Sequence, residues 1–108
     1  MHAQWHDICS LKRLEREQRL SVRQGEYALL MLLVNGQPLV FENRCPHLGY
    51  PLEAACVDSE QGTLTCPFHQ WVFALDSGRC QLNTACLKRF PVRVEQGRVQ
   101  VGIPADPC

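Results

Sequence analysis

Short apolar runs separated by glycine-containing turns dominate this chain, and their spacing predicts β-strands. The longest run, 28–34, has no helical periodicity and stops at Asn35-Gly36, a dipeptide typical of a two-residue hairpin turn. Residues 37–42 then predict the returning strand. We therefore expect a β-hairpin that spans 28–42.

A second hairpin is predicted near the end of the chain, where 90–95 and 98–103 flank Gln96-Gly97. Both segments alternate between apolar and polar residues, which is the period of a strand with one buried face. Val92 and Val94 are expected to face inward. Opposite them we expect the apolar residues of the last strand: Val99, Val101 and Ile103.

Between these hairpins the pattern is more broken. Residues 63–65 and 71–75 predict two short strands, and 57–62 is expected to form an extended loop. Only 11–19 has helical spacing, with Ser10 as a candidate N-cap. Many short strands joined by glycine turns indicate an all-β sandwich or barrel.

The size and charge of the chain exclude several classes of protein. Its 108 residues and 12.3 kDa leave room for one domain with a modest core. Its 11 Lys and Arg balance 11 Asp and Glu, whereas a nucleic-acid-binding protein would carry a basic excess. No apolar run approaches the roughly 20 residues that span a bilayer, and no secretory signal opens the chain. We therefore expect a soluble cytoplasmic protein.

Two short loops each offer one thiolate and one imidazole: one residue separates Cys45 from His47, and two separate Cys66 from His69. Two Cys and two His complete a metal centre, but structural zinc sites usually leave two to four residues within each pair. One intervening residue lets both side chains reach a single ion only under strain. A two-iron cluster avoids the strain, because thiolates can bind one iron and imidazoles the other, as in a Rieske centre. A Cys₂His₂ zinc site remains the alternative.

The remaining cysteines and histidines have simpler interpretations. Seven Cys, an odd number without a secretory signal, favour a reducing compartment. His2 and His6 are expected to be surface residues of a frayed terminus, and Cys108 an exposed terminal thiol. Small buried apolar groups are expected at the internal cysteines: Cys9, Cys56, Cys80 and Cys86.

Over most of its length the chain resembles the Rieske ferredoxins. The resemblance departs at Gln70, where the family usually has a glycine directly after the second histidine, and in a longer segment between the two ligand loops. It rests on the two Cys/His pairs and on neighbouring residues: Pro46, Pro67, Pro51-Leu52, Trp71-x-Phe73 and the segment 75–78.

This resemblance implies a fold and a cofactor. The fold is a Rieske-type antiparallel β-sandwich over 1–108, with a small cluster-binding subdomain inserted at about 43–77. The cofactor is one [2Fe–2S] cluster held by the two pairs: Cys45, His47, Cys66 and His69. High-potential relatives place hydroxyl groups where this chain has Trp71 and Phe73, and loop cysteines where it has Tyr50 and Phe68. The resemblance therefore implies a low-potential cluster.

The implied function is electron transfer without a reaction on a substrate, because 108 residues leave no room for the catalytic iron domain of a Rieske oxygenase. The chain is expected to carry single electrons from a flavin-dependent reductase to a terminal oxygenase, either a dioxygenase or a diiron monooxygenase. The expected docking site surrounds the histidine ligands, near Leu48, Tyr50, Gln70 and Trp71. Two alternatives remain: a relay subunit of a larger, nitrite-reductase-like complex, and a zinc-binding module.

Overall fold

The computed structural model of the protein describes residues 3–44, 52, 54–67, 70–81 and 85–104. These residues form one helix, α1 (Leu11–Glu17), and ten strands. In chain order the strands are β1 (Ala3–Ser10), β2 (Arg19–Gln24), β3 (Tyr27–Val34), β4 (Gln37–Glu42), β5 (Cys56–Asp58), β6 (Thr63–Thr65), β7 (Val72–Ala74), β8 (Arg89–Phe90), β9 (Val92–Glu95) and β10 (Arg98–Pro104).

The strands pair antiparallel into three sheets, which we name the outer, middle and third sheets. The outer sheet has the order β1-β10-β9, and the middle sheet has the order β2-β3-β4-β8. The third sheet, β5-β6-β7, lies in the chain between β4 and β8. The middle sheet thus takes three strands from before the third-sheet segment and one strand, β8, from after it.

Both faces of the middle sheet are buried. Along β3, Leu29 and Met31 point into one core while Leu30 and Leu32 point into the other, because successive side chains of a strand alternate. All four are between 0 and 2% exposed. A strand buried on both faces needs a continuous apolar run, which explains why 28–34 shows no alternation.

The first core joins the middle sheet to the outer sheet. It contains Val99, Val101 and Ile103 from β10, together with Phe90 from β8 and Leu14 from α1. Ser10 caps α1 by accepting a hydrogen bond from the Arg13 backbone N–H at 3.1 Å. The helix places Leu14, which is fully buried, in this first core.

The second core joins the middle sheet to the third sheet. Leu64 of β6 and Phe73 of β7 are neighbours across the strands, and both are fully buried against Leu30 and Phe41 of the middle sheet. Burying an apolar side chain of this size contributes about 1.5–3 kcal/mol. The third sheet is therefore held to the sandwich by its inward apolar face.

The fold class is confirmed as an antiparallel β-sandwich with a further small sheet. The predicted hairpin over 28–42 and its Asn35-Gly36 turn are also correct, since both turn residues have positive φ, 52° and 79°. The helix was placed correctly, although it ends at Glu17 because Gln18 adopts the left-handed conformation. Within the described ranges, no helix is long and apolar enough to cross a membrane.

Two expectations about the chain ends are wrong. The segment from Ala3 onward is not frayed: β1 pairs along β10, and half-buried His6 lies with Nδ1 3.1 Å from Gln24 Nε2, whereas His2 lies outside the described residues. The segment 90–95 is not one strand, because Pro91 separates β8, which pairs with β4, from β9, which pairs with β10. Proline lacks the N–H that a continuous ladder requires.

Val94 is also more exposed than expected. It pairs with buried Val99 and so shares its inward face, but it remains 41% exposed because β9 is the edge of the outer sheet. The segment 57–62 likewise differs from the predicted extended loop. It contains the end of β5 and a turn closed by Asp58, whose Oδ1 accepts from the Glu60 and Gln61 backbone N–H groups.

Gly78, which follows β7 and has φ +77°, lies close to the backbone of Leu87. A Cβ built on it would lie 2.1 Å from the Leu87 carbonyl oxygen, whereas one on Gly36, at φ +79°, would meet nothing within 4 Å. We predict that Gly78→Ala lowers the free energy of unfolding by at least about 3 kcal/mol, against about 1 kcal/mol for Gly36→Ala. Thermal unfolding of the two variants measures the difference. Equal losses would mean that the Gly78–Leu87 contact does not constrain the fold.

Candidate iron–sulfur site

The loop of the second Cys/His pair begins where β6 ends. Two backbone hydrogen bonds close it: the Cys66 N–H donates to the Trp71 carbonyl at 2.9 Å, and the Gln70 N–H donates to the Cys66 carbonyl at 3.0 Å. These bonds bring the loop back into β7 after a tight turn. The loop's closure depends on the backbone and not on a side chain.

Gln70 completes this turn in the left-handed conformation, with φ 59°. For residues with a Cβ this conformation costs about 1–2 kcal/mol, and glycine adopts it without that cost. The expected departure from the family pattern thus falls on a position where the backbone favours glycine. The turn nevertheless keeps both of its hydrogen bonds with glutamine in place.

The side chain of Cys66 is fully buried in the second core. Trp71 is half-buried against the same core, and its ring centroid lies 6.5 Å from that of Phe73, which is fully buried. Aromatic groups therefore cover this side of the loop and limit the access of water to the Cys66 region. Neither Trp71 nor Phe73 has a hydroxyl group to offer to a cluster sulfur.

The loop of the first Cys/His pair begins just after β4. Asn43, 8% exposed, precedes it, and its Oδ1 accepts a hydrogen bond from the Leu52 backbone N–H at 2.6 Å. Leu52 is fully buried in the second core, the same core that contains Cys66. The end of the first loop and the start of the second are therefore attached to one apolar core. The sequence interpretation did not single out Asn43, although a polar residue between an apolar strand and a ligand motif was an available signal.

Three of the four predicted ligands, Cys45, His47 and His69, lie outside the described residues, as do Leu48, Tyr50 and Phe68. The structure places Cys66, and it places the residues that bracket the first loop. Cys66 suits a metal thiolate, because it is buried beside the turn and takes part in no disulfide. The full ligand set remains a prediction.

The other described cysteines, all of them free thiols, differ in burial. Cys9 and Cys80 are buried as predicted, at 3% and 6% exposure, and burial raises the pKa of the Cys9 thiol so that it stays protonated. Cys56 and Cys86 are exposed, which contradicts the expectation that they are buried. Cys56 lies on β5, an edge strand of the third sheet, and Cys86 lies in a single bridge with Arg79, so neither side chain is covered.

Comparison with known proteins defines the class. The model of the Rieske [2Fe-2S] domain matches residues 4–96. The ferredoxin component of the alkene monooxygenase system of Xanthobacter autotrophicus is 32% identical over 98 residues, which cover 89% of this chain and 79% of that protein. The ferredoxin component of the naphthalene 1,2-dioxygenase system of Pseudomonas aeruginosa is 26% identical, over 95% of this chain and 99% of that protein.

The fold agrees with a solved structure. The ferredoxin of carbazole 1,9a-dioxygenase from Nocardioides aromaticivorans superposes with a TM-score of 0.83 at 15% identity, covering 94% of this chain and all of that one. Other relatives are larger: the chain spans only 24% of a methylxanthine N1-demethylase of Pseudomonas putida, to which it is 28% identical. The chain belongs to the Rieske [2Fe-2S] family.

Membership of this family implies one [2Fe–2S] cluster per chain, as predicted. The cluster supplies a centre that accepts and releases one electron. The relatives matched over most of their own length are named ferredoxin components, which agrees with an electron-transfer role and not with catalysis. They favour neither the zinc module nor the reductase subunit.

The ligand role of Cys66 can be tested against a matched cysteine. Cys80 lies in the same core, is nearly as buried and is not a predicted ligand. We predict that Cys66→Ser abolishes the visible absorption of the cluster and its iron content, because a serine hydroxyl does not supply the thiolate that this terminal position on the iron requires. Cys80→Ser should keep both. An intact two-iron spectrum in the Cys66→Ser protein would refute the assignment.

Proposed function

We propose that the protein is a cytoplasmic one-electron carrier that accepts electrons from a flavin-dependent reductase and delivers them to a terminal oxygenase. The observation that carries this proposal is the match to the ferredoxin component of a dioxygenase system, which covers 99% of that component's length. The proposed ligands are Cys45 and Cys66 on the inner iron, with His47 and His69 on the outer iron.

The two types of ligand would determine where electrons leave. Cys66 is buried in the core, whereas Gln70, next to His69 in sequence, is exposed. Imidazoles can bridge from a metal to the surface, so we propose that the outer iron faces the partner. The docking surface is then the tip of the two loops, with Leu48, Tyr50, Gln70 and Trp71.

The residues proposed for this tip carry no charge, and the chain as a whole is neutral. Long-range electrostatic steering is then weak, and association depends only mildly on salt. Electron-transfer contacts are small and transient, below about 1,200 Å² buried, so a single charge placed in the contact has a measurable effect. Trp71 and its neighbour Phe73 would exclude water from the cluster side of this surface.

The docking surface can be tested with two matched glutamines. Gln96 is exposed and left-handed like Gln70, with φ 51° against 59°, but it lies in the β9–β10 turn of the outer sheet. We predict that Gln70→Glu slows oxidation of the reduced protein by the terminal oxygenase of its system at least about threefold at low ionic strength. Gln96→Glu should leave the rate unchanged. Stopped-flow absorbance measures both.

Leu48→Asp introduces a charge on the other loop and should slow the same reaction. Cluster content and midpoint potential should stay near the wild-type values in all three variants, because the substituted side chains are not ligands. Unchanged rates for Gln70→Glu and Leu48→Asp, or an equal loss in Gln96→Glu, would place the docking surface elsewhere.

A further inference from the structure

Within the ranges that the structure describes, Asn43 is the only buried polar or charged residue. Its Nδ2 donates to Ser21 Oγ on β2 at 3.0 Å, and its Oδ1 accepts from the Leu52 N–H at 2.6 Å. Its backbone N–H donates to the Ala28 carbonyl at 2.8 Å, where β3 begins. One residue thus uses its backbone and both side-chain atoms to join three parts of the chain.

These bonds fix both ends of the first ligand loop. Asn43 stands before residues 44–51 and Leu52 follows them, so the 2.6 Å bond closes a loop that contains Cys45 and His47. The Leu52 side chain is fully buried, and its carbonyl accepts from the Ala55 N–H at 2.9 Å. On the other side, Ser21 anchors the Asn43 amide to the edge strand of the middle sheet.

The two ligand loops are therefore closed by different means. Backbone hydrogen bonds close the second loop, and these form with almost any side chain at Cys66 and Trp71. In the first loop, the two ends are joined by a side chain, the amide of Asn43. Removing that amide leaves the buried Leu52 N–H without its acceptor, which costs the desolvation of a polar group. A single substitution at Asn43 can therefore release the first loop alone.

We propose that Asn43 is a positioning residue of the cluster, which holds the loop of Cys45 and His47 in the geometry that both ligands need. This inference rests on the ligand set in the proposed function. It assigns to Asn43 an effect on cluster retention and on the cluster's spectrum that exceeds its effect on the fold.

The test compares Asn43→Leu, which has similar volume but no polar atoms, with Val99→Ala as a control. Val99 is fully buried in the first core, on the far side of the middle sheet, so its truncation destabilises the fold away from the cluster. Asn43→Ala is the second variant, in case leucine prevents folding. Asn43→Asp is the conservative variant, since it keeps an acceptor for the Leu52 N–H.

Three quantities are measured on the cluster-loaded full chain: the rate of iron transfer to a ferrous chelator, the electron paramagnetic resonance spectrum after reduction, and the thermal unfolding midpoint. We expect Asn43→Leu and Asn43→Ala to release iron about tenfold faster than the wild-type protein and to shift or broaden the spectrum. Asn43→Asp should restore the release rate to within about threefold of the wild-type value. Val99→Ala should lower the unfolding midpoint without changing release or spectrum.

The proposal is overturned if the Asn43 variants release iron at the wild-type rate with an unchanged spectrum. It is also overturned if Val99→Ala has the same unfolding midpoint as an Asn43 variant and releases iron equally fast. These measurements need no reductase or oxygenase. If the wild-type protein fails to reduce an oxygenase, the electron-carrier proposal fails while the Asn43 result stands. If the wild-type protein reduces an oxygenase but the Asn43 variants keep the wild-type iron-release rate and spectrum, only the positioning role fails.

Discussion

The burial of β3 on both faces is the constraint on which the rest of the structure depends. Leu29 and Met31 require the outer sheet as a cover, and Leu30 and Leu32 require the third sheet. A strand of this kind is stable only between two apolar layers. The third sheet therefore has a structural role besides carrying the second ligand loop, because without it the second face of β3 would be exposed to water.

This packing links the cluster region to the core. Cys66 and Leu52, which mark the two ligand loops, are both fully buried in the core that Leu30 and Phe41 line from the middle sheet. Both loops are thus attached to one apolar core, and the second loop reaches exposed Gln70. Such an arrangement suits electron transfer, which needs a centre that is held firmly, shielded from water and close to the surface.

The sequence predicted what depends on local pattern and missed what depends on distant contacts. The Asn35-Gly36 hairpin follows from residues that adopt positive φ readily, and Ser10 from ordinary capping chemistry. In contrast, β1 forms only because β10, almost a whole chain away, pairs with it. The split at Pro91 similarly depends on distant contacts, because the residues on its two sides pair with strands of different sheets.

The site shows the same division. The ligand motif could be identified by its residue types and spacing, but the closure of the first loop by Asn43 could not, because Ser21 and Leu52 approach it only in the folded chain. At Gln70 the glutamine itself gives no local signal of positive φ, and only the glycine usual at this position in the family indicates the left-handed turn. The contribution of these residues arises from tertiary structure.

The central claim is that this chain carries a Rieske cluster with two histidine ligands and no hydroxyl donor at Trp71 or Phe73. A redox titration of the purified wild-type protein at neutral pH, followed by electron paramagnetic resonance, tests it most directly. We predict a one-electron couple near the bottom of the Rieske range, about −150 mV. A midpoint near −400 mV, as in a four-cysteine cluster, or the absence of any reducible centre would contradict it.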